Sequence, residues 1–204
     1  MTDDTLIPAS DDPDETSPEE DTEDNDFDYS EWLSAYRFDD PQKPTQLPKS
    51  IFWPTMTPDE AEMNWLDLNA WVNWLRLEYA IPAAEIPPYW HAHPLLRDWL
   101  TALWKHHEYA FHPGQEASSM IGWFNDFWDA RRKLQEAVAQ IGTRLTTDRP
   151  DRIYPWPGED PAPEVRDTPI TDRRRHFNEF IADDIATRRI IAEVEDEVRR
   201  DLGL

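Results

Sequence analysis

The sequence predicts an all-α fold: a small Trp-rich three-helix bundle with a long C-terminal helix and a disordered acidic N-terminal tail. Three observations predict it. Apolar side chains recur every three or four residues in four long segments, which is the spacing of one helix face. Prolines and glycines separate these segments. The 204-residue chain carries 11 tryptophans, and its formal net charge of -23 comes largely from acids crowded near the N-terminus.

Two regions precede the bundle. Residues 1–28 are rich in Asp and Glu and poor in apolar side chains, so we expect a disordered tail that repels itself. Residues 29–56 form a short amphipathic segment and a Pro-rich linker. Trp32 and Tyr36 share one helical face there, so this segment either recognises a partner or folds back as a clasp.

The Trp-rich domain spans residues 57–142 and begins with a clear helix start. Thr57-Pro58-Asp59-Glu60 has the pattern of a capping box with proline at the first helical position. The helix then continues to Pro82. Its apolar stripe contains Trp65, Leu68, Trp71, Val72, Trp74, Leu75 and Tyr79.

Two further helices complete the predicted bundle. The second starts at Pro94 and runs to about residue 111, and the third runs from about residue 115 to 141, with Gly142 as its C-cap. The apolar positions of the second are Leu96, Trp99, Leu100, Leu103, Trp104 and His107, and those of the third include Met120, Trp123, Phe124, Phe127, Trp128, Leu134 and Val138. We expect Trp71, Trp99 and Trp123 to be core or near-core residues of the bundle.

The remainder of the chain is predicted to be a linker and a helix. Residues 143–170 contain six prolines and no β-hairpin signal, so they are predicted to be an extended linker. Residues 171–204 form a charged helix with a narrow stripe of Phe177, Phe180, Ile181, Ile185, Ile191, Val194 and Val198. That stripe either binds another chain, which we favour, or returns to the bundle as a fourth helix.

Composition excludes several functions. The negative charge disfavours binding to free nucleic acid or to anionic membranes, and it favours basic protein partners. The chain has no cysteine, no secretory signal and no apolar run near the about 18 residues that span a bilayer. We therefore expect a cytoplasmic protein without disulfides or thiol chemistry.

The candidate sites for catalysis are weak. His91, His93, His106, His107 and His112 lack the spacing of a catalytic zinc helix, so no metal or cofactor is expected. His93 instead is predicted to cap the helix that starts at Pro94. The basic runs at residues 131–133 and 173–175 are expected to pair with nearby acids. No catalytic residue is predicted.

The segment from residue 65 to 134 resembles an uncharacterised family of short actinobacterial proteins. Its members occur on plasmids, integrative conjugative elements and phages, and form a domain of unknown function. The residues that carry the resemblance are Trp71 with Val72, Trp90-x-x-His93-Pro94, Leu100-x-x-Leu103-Trp104 with Glu108, and Trp123 with Asp126. The resemblance implies a mobile-element context and brings no activity with it.

These observations favour a non-enzymatic protein–protein interaction module of a mobile element. Two alternatives stay open: an acidic nucleic-acid mimic that inhibits a DNA-binding protein, and a helical hydrolase or nuclease with an unrecognised site. The candidate interaction residues are Trp32, Tyr36, Phe180 and Ile191, together with the pattern residues named above.

Overall fold

The computed structural model describes residues 48–202 and confirms a mostly helical, Trp-rich fold with a long C-terminal helix. The acidic tail and the amphipathic segment with Trp32 and Tyr36 lie outside the described residues. Within them, the elements in chain order are α1 (Pro58–Glu78), α2 (Pro94–Ala110), α3 (Ser118–Ile141), β1 (Thr147–Asp148), β2 (Thr168–Pro169) and α4 (Arg173–Asp201). Two single 3-10 turns, Trp53–Thr55 and Trp90–Ala92, precede α1 and α2.

The predicted capping box starts α1. The backbone N–H of Thr57 donates to Glu60 Oε2 at 2.9 Å, and the backbone N–H of Glu60 donates to Thr57 Oγ1 at 3.3 Å. Two amides that a helix start leaves without partners are thereby satisfied. At the other end of the bundle, Gly142 ends α3 in the left-handed conformation with φ of 88°. The predicted signals at both positions are confirmed.

The core is aromatic and lies between α1, α2 and α3, closed on one side by α4. The indoles of Trp65, Trp71, Trp90 and Trp123 are all less than 2% exposed. Tryptophan fills a small core efficiently because one side chain buries a large apolar area. The expectation that Trp71 and Trp123 are core residues is confirmed.

Trp99 lies at the edge of the core, and of the three tryptophans predicted to be core or near-core residues it is the exposed one. Its side chain is 36% exposed, whereas Leu96, Leu100 and Leu103 of the same helix are buried. At 100° per residue these three leucines define the centre of the buried face, and Trp99 falls at its edge. Periodicity marks the stripe, and it does not fix how far the neighbouring helices reach around it.

The proximal half of α4 folds back onto α1 and buries Phe177, Ile181 and Ile185. Polar contacts fix the arrangement. The indole N–H of Trp65 donates to Asp184 Oδ2 at 3.0 Å, and Arg188 donates to the carbonyl of Trp53 at 2.8 Å. Fold-back, the less favoured prediction, is therefore the arrangement of this half of the helix.

Residues 143–170 are attached to the domain, which the prediction of an extended linker without a hairpin missed. Thr147 pairs with Pro169 and Asp148 with Thr168 in a two-stranded antiparallel sheet. Strands of two residues have no alternating pattern to detect, so the sequence carries no signal for them. Their pairing brings Asp148 to the start of α2.

Candidate functional site

Five titratable side chains gather where α2 begins: His91, His93, Asp148, Asp151 and His176, here called the His–Asp cluster. His93 lies at its centre and is fully buried. Its Nε2 is 2.9 Å from Asp148 Oδ1, and its Nδ1 is 2.9 Å from Asp151 Oδ1. The backbone of His93 occupies the N-cap of α2, but its side chain makes no capping hydrogen bond. The prediction that His93 caps this helix is confirmed for its backbone position, whereas its side chain does not cap because both ring nitrogens face carboxylates.

The two carboxylates favour a protonated His93. Burial alone would lower the pKa of His93, but hydrogen bonds to Asp148 and Asp151 outweigh it and raise that pKa. Burial likewise opposes ionisation of Asp148, but hydrogen bonds from His93 and from Thr143 Oγ1, at 2.8 Å, lower its pKa. The centre of the cluster is therefore a buried imidazolium–carboxylate pair.

The two outer histidines share a hydrogen bond. His91 Nε2 lies 2.8 Å from His176 Nδ1, and the ring of His176 stacks on Tyr89 with centroids 3.7 Å apart. Burial, together with the nearby charge of His176, lowers the pKa of His91 to about 3. His91 is consequently neutral near pH 7, so one ring of the pair donates and the other accepts.

The geometry of the His–Asp cluster indicates a structural role. His93 and His91 are about as inaccessible as core leucines, and both nitrogens of His93 already have partners. A general base needs a free nitrogen within reach of substrate. Within residues 48–202, no three His, Cys, Asp or Glu side chains are arranged to hold a metal ion. The cluster joins α2, β1 and α4, which lie far apart in sequence.

Sequence reasoning missed Asp148, Asp151 and His176. Each is separated from its histidine partner by 55 to 85 residues. Asp148 and Asp151 lie in a Pro-rich stretch without helical periodicity. The one available signal was His91-x-His93 directly before a helix, and it indicates polar burial without identifying the partners.

The residues of the family pattern are mostly core residues. Trp71, Trp90, Leu103, Trp104 and Trp123 are buried, and Pro94 is the first residue of α2. Outside the core, Glu108 accepts from Lys105 at 2.9 Å. The pattern therefore describes how this bundle packs and does not outline a surface.

The C-terminal candidates Phe180 and Ile191 fall on different halves of α4. The ring of Phe180 packs edge-on against Trp65, with centroids 5.4 Å apart. Ile191 belongs to an exposed row with Val194 and Val198, here called the distal stripe, whose side chains are 50–53% exposed. Within the described part of the chain, no segment covers this row.

Exposed apolar side chains also lie on α3 and in the loop between β1 and β2. Ile121, Phe124 and Trp128 lie at positions three and four apart on α3, beside its buried face, and Trp128 is 57% exposed. The loop between β1 and β2 exposes Tyr154 and Trp156. Aromatic side chains that remain accessible at a surface are common in protein–protein contacts.

The basic runs are mostly paired with acids, as predicted. Arg131 donates to both carboxylate oxygens of Glu85 at 2.6 and 2.9 Å, while Arg132 pairs with Asp129 and Lys133 with Glu136. In the second run Arg175 approaches Glu179 at 3.5 Å. Arg173 differs, because the oxygen that it contacts is the amide oxygen of Asn69.

No family model, curated protein or solved structure matches this chain. In residues 48–202 none of the helices combines the length and the apolar character needed to cross a bilayer.

Proposed function

We propose that this chain is a non-enzymatic protein–protein interaction module that associates with a second copy of itself through the distal stripe of α4. One observation carries the proposal: a helix that buries its proximal apolar residues leaves Ile191, Val194 and Val198 about half exposed. An isolated helical segment of this length is marginal in water, and it gains stability when its apolar row is covered.

The dimensions of the stripe indicate the strength of the association. Residues 191–198 rise about 10 Å along the helix axis. An interface of that length, with three aliphatic side chains from each chain, falls well below the about 800 Å² per partner of a standard stable interface. We therefore expect reversible self-association that depends on protein concentration.

We expect the exposed row on α3 to bind a different protein. Ile121, Phe124 and Trp128 lie beside the buried face of α3, and Arg131 stacks over Trp128 at 4.7 Å. The acid-rich composition favours a basic partner through long-range attraction. The proposed setting is the cytoplasm of a cell that carries a mobile genetic element, and this setting rests on the resemblance of the Trp-x-x-His-Pro pattern.

Light scattering on the full chain and on a chain that ends at residue 188 tests the proposal. The full chain should gain mass as its concentration rises through the micromolar range, and the shortened chain should stay monomeric. Because Arg188 and all residues before it are kept, the shortened chain should retain its fold and its melting temperature to within a few degrees.

Matched variants distinguish the effect of the distal stripe on association from the effect of net charge. Ile191→Asp combined with Val194→Asp should abolish the gain in mass. Arg189→Asp changes the net charge by the same amount on the opposite helix face and should leave association intact. A full chain that stays monomeric at high concentration, or equal behaviour of these variants, would contradict the proposal.

A further inference from the structure

A cavity beside the His–Asp cluster is lined by residues that are typical of an anion-binding site. It has a volume of about 250 Å³ and lies between the second half of α1, residues 81–90 and the first residue of α4. Its walls include Val72, Ile81, Ile86 and Trp90, all of them buried. Two arginines, Arg76 and Arg173, also line the cavity. This combination joins an apolar interior with a cationic rim.

The two arginines lack the carboxylate partner that most of the described arginines have. The chain carries 43 acids against 20 lysines and arginines, and most other described arginines reach a carboxylate. Within residues 48–202, neither Arg76 nor Arg173 has an acid at ion-pair distance. Arg173 donates to Asn69 and lies over the ring of Phe177 at 5.4 Å. Both contacts orient the guanidinium, and neither neutralises it.

The charge on Arg173 is unfavourable as the structure stands. Burial, with the nearby charge of Arg76, lowers the pKa of Arg173 to about 10. A half-buried cation beside a second cation is stabilised when an anion binds between them. Guanidinium groups bind planar carboxylates through paired N–H donors, which gives such contacts direction as well as strength.

We propose that this cavity binds the carboxylate of a small apolar acid, with the hydrocarbon part against Val72, Ile81 and Trp90 and the carboxylate at Arg76 and Arg173. The cavity is slightly smaller than the about 300–1,000 Å³ of typical ligand sites, so the ligand is small. Two kinds of ligand carry a carboxylate next to an apolar group: a free carboxylic acid and the C-terminal residue of a peptide. The site is independent of the distal stripe and does not require self-association.

Titration of the full chain with 4-methylpentanoate, followed by 1H–15N NMR, tests the site. The expected result is saturable shifts of the backbone amides of Ile81 and Leu145 and of the Nε–Hε group of Arg173. The neutral analogue 4-methylpentanamide should bind about tenfold more weakly, because it lacks the charge-assisted hydrogen bonds. Gly-Gly-Leu and its C-terminal amide form a second pair, and the tighter of the two acids identifies the source.

Variants locate the contact. Arg76→Gln should weaken binding of 4-methylpentanoate about tenfold, and Arg76 is exposed, so the fold should persist. Arg132→Gln removes a charge that is also exposed, on α3, and should have no effect. Ala83→Leu, which adds methyl groups at the cavity wall, should weaken binding independently of charge.

Four outcomes would overturn the proposal. The first is the absence of shifts at about 10 mM acid, which corresponds to negligible affinity. The second is equal binding of the acid and the amide, and the third is equal binding by the Arg76→Gln and Arg132→Gln variants. The fourth is that inorganic phosphate causes the same shifts as the acid. The last result would indicate a surface charge effect in which the apolar walls have no part.

Discussion

His93 has a buried side chain that remains charged because two carboxylates surround it. The imidazole is fully buried, yet hydrogen bonds to Asp148 and Asp151 favour its protonated form. The two carboxylates are not equivalent: the side chain of Asp148 is 7% exposed and that of Asp151 is 41% exposed. Loss of a charge partner is costly where water cannot replace it.

Asp148→Asn should therefore destabilise the protein by about 3 kcal/mol, because it leaves the imidazolium of His93 without its buried counter-ion. Asp151→Asn is the control and should cost less than about 1 kcal/mol, since water reaches that carboxylate. Urea denaturation followed by circular dichroism measures both. Equal losses would contradict the assignment of Asp148 as the buried counter-ion of His93.

The tryptophans offer a second comparison at the scale of one residue. Trp71→Ala should cost about 3–5 kcal/mol, because it empties a fully buried site. Trp99→Ala, at a side chain that is 36% exposed, should cost less than half as much. Thermal and chemical denaturation of the two variants decide the matter. A similar loss for both would place Trp99 in the core.

Among the elements, α4 divides into a packed half and an exposed half. Phe177, Ile181 and Ile185 are buried, and Arg188 holds the backbone of Trp53 and Met56 where the packed half ends. Beyond Arg188 the helix continues to Asp201 with mostly exposed side chains. One helix thus serves both as a part of the core and as a surface.

Phe177→Ala should lower the free energy of unfolding by about 3–5 kcal/mol, because a buried ring is lost. Val198→Ala, in the distal stripe, should change it by less than about 0.5 kcal/mol at dilute protein concentration. Denaturation at low micromolar concentration keeps self-association out of the comparison. A large loss at Val198 would show that the distal half also packs in the monomer.

The sequence predicted where the helices lie along the chain better than it predicted which distant segments contact them. The start of α1 at Pro58 and the left-handed Gly142 follow from local chemistry, which is written into a few consecutive residues. The fold-back of α4, the exposure of Trp99 and the pairing of β1 with β2 depend on which distant segments meet. Periodicity carries no information on that choice, and for the same reason the partners of His93 could not be identified.

At the scale of the whole molecule, the buried histidines couple the fold to pH. Burial lowers the pKa of His91 to about 3 and that of His107 to about 4, below the 6.5 of an unperturbed histidine. Between these values and pH 6.5 the unfolded chain binds more protons than the folded chain, so stability falls as pH falls. His93 acts in the opposite direction, because its pKa is raised in the folded protein. Its contribution to the stability of the fold is complete below pH 6.5 and is lost as pH rises through the pKa of His93 in the folded protein.

The melting temperature should therefore be highest near neutral pH and should decrease from about pH 6.5 towards pH 4. Each buried neutral histidine contributes at most about 1.4 kcal/mol per pH unit to this slope. His107→Gln should flatten the slope, whereas His112→Gln, at a partly exposed position, should leave it unchanged. An acid slope that is the same in both variants would exclude His107 as a contributor to it.

The pairing of β1 with β2 predicts that the fold does not need an unbroken backbone between them. Arg149 and Asp167 join the two ends of the intervening loop through hydrogen bonds of 2.7 and 2.8 Å, and the loop exposes Ile153, Tyr154 and Trp156. A single protease cut there would separate the chain into two pieces that the His–Asp cluster and the packing of Phe177 still hold together. The nicked protein should elute as one species under native conditions and run as two bands after denaturation. It should unfold cooperatively at a midpoint that falls on dilution, because its two pieces separate when they unfold.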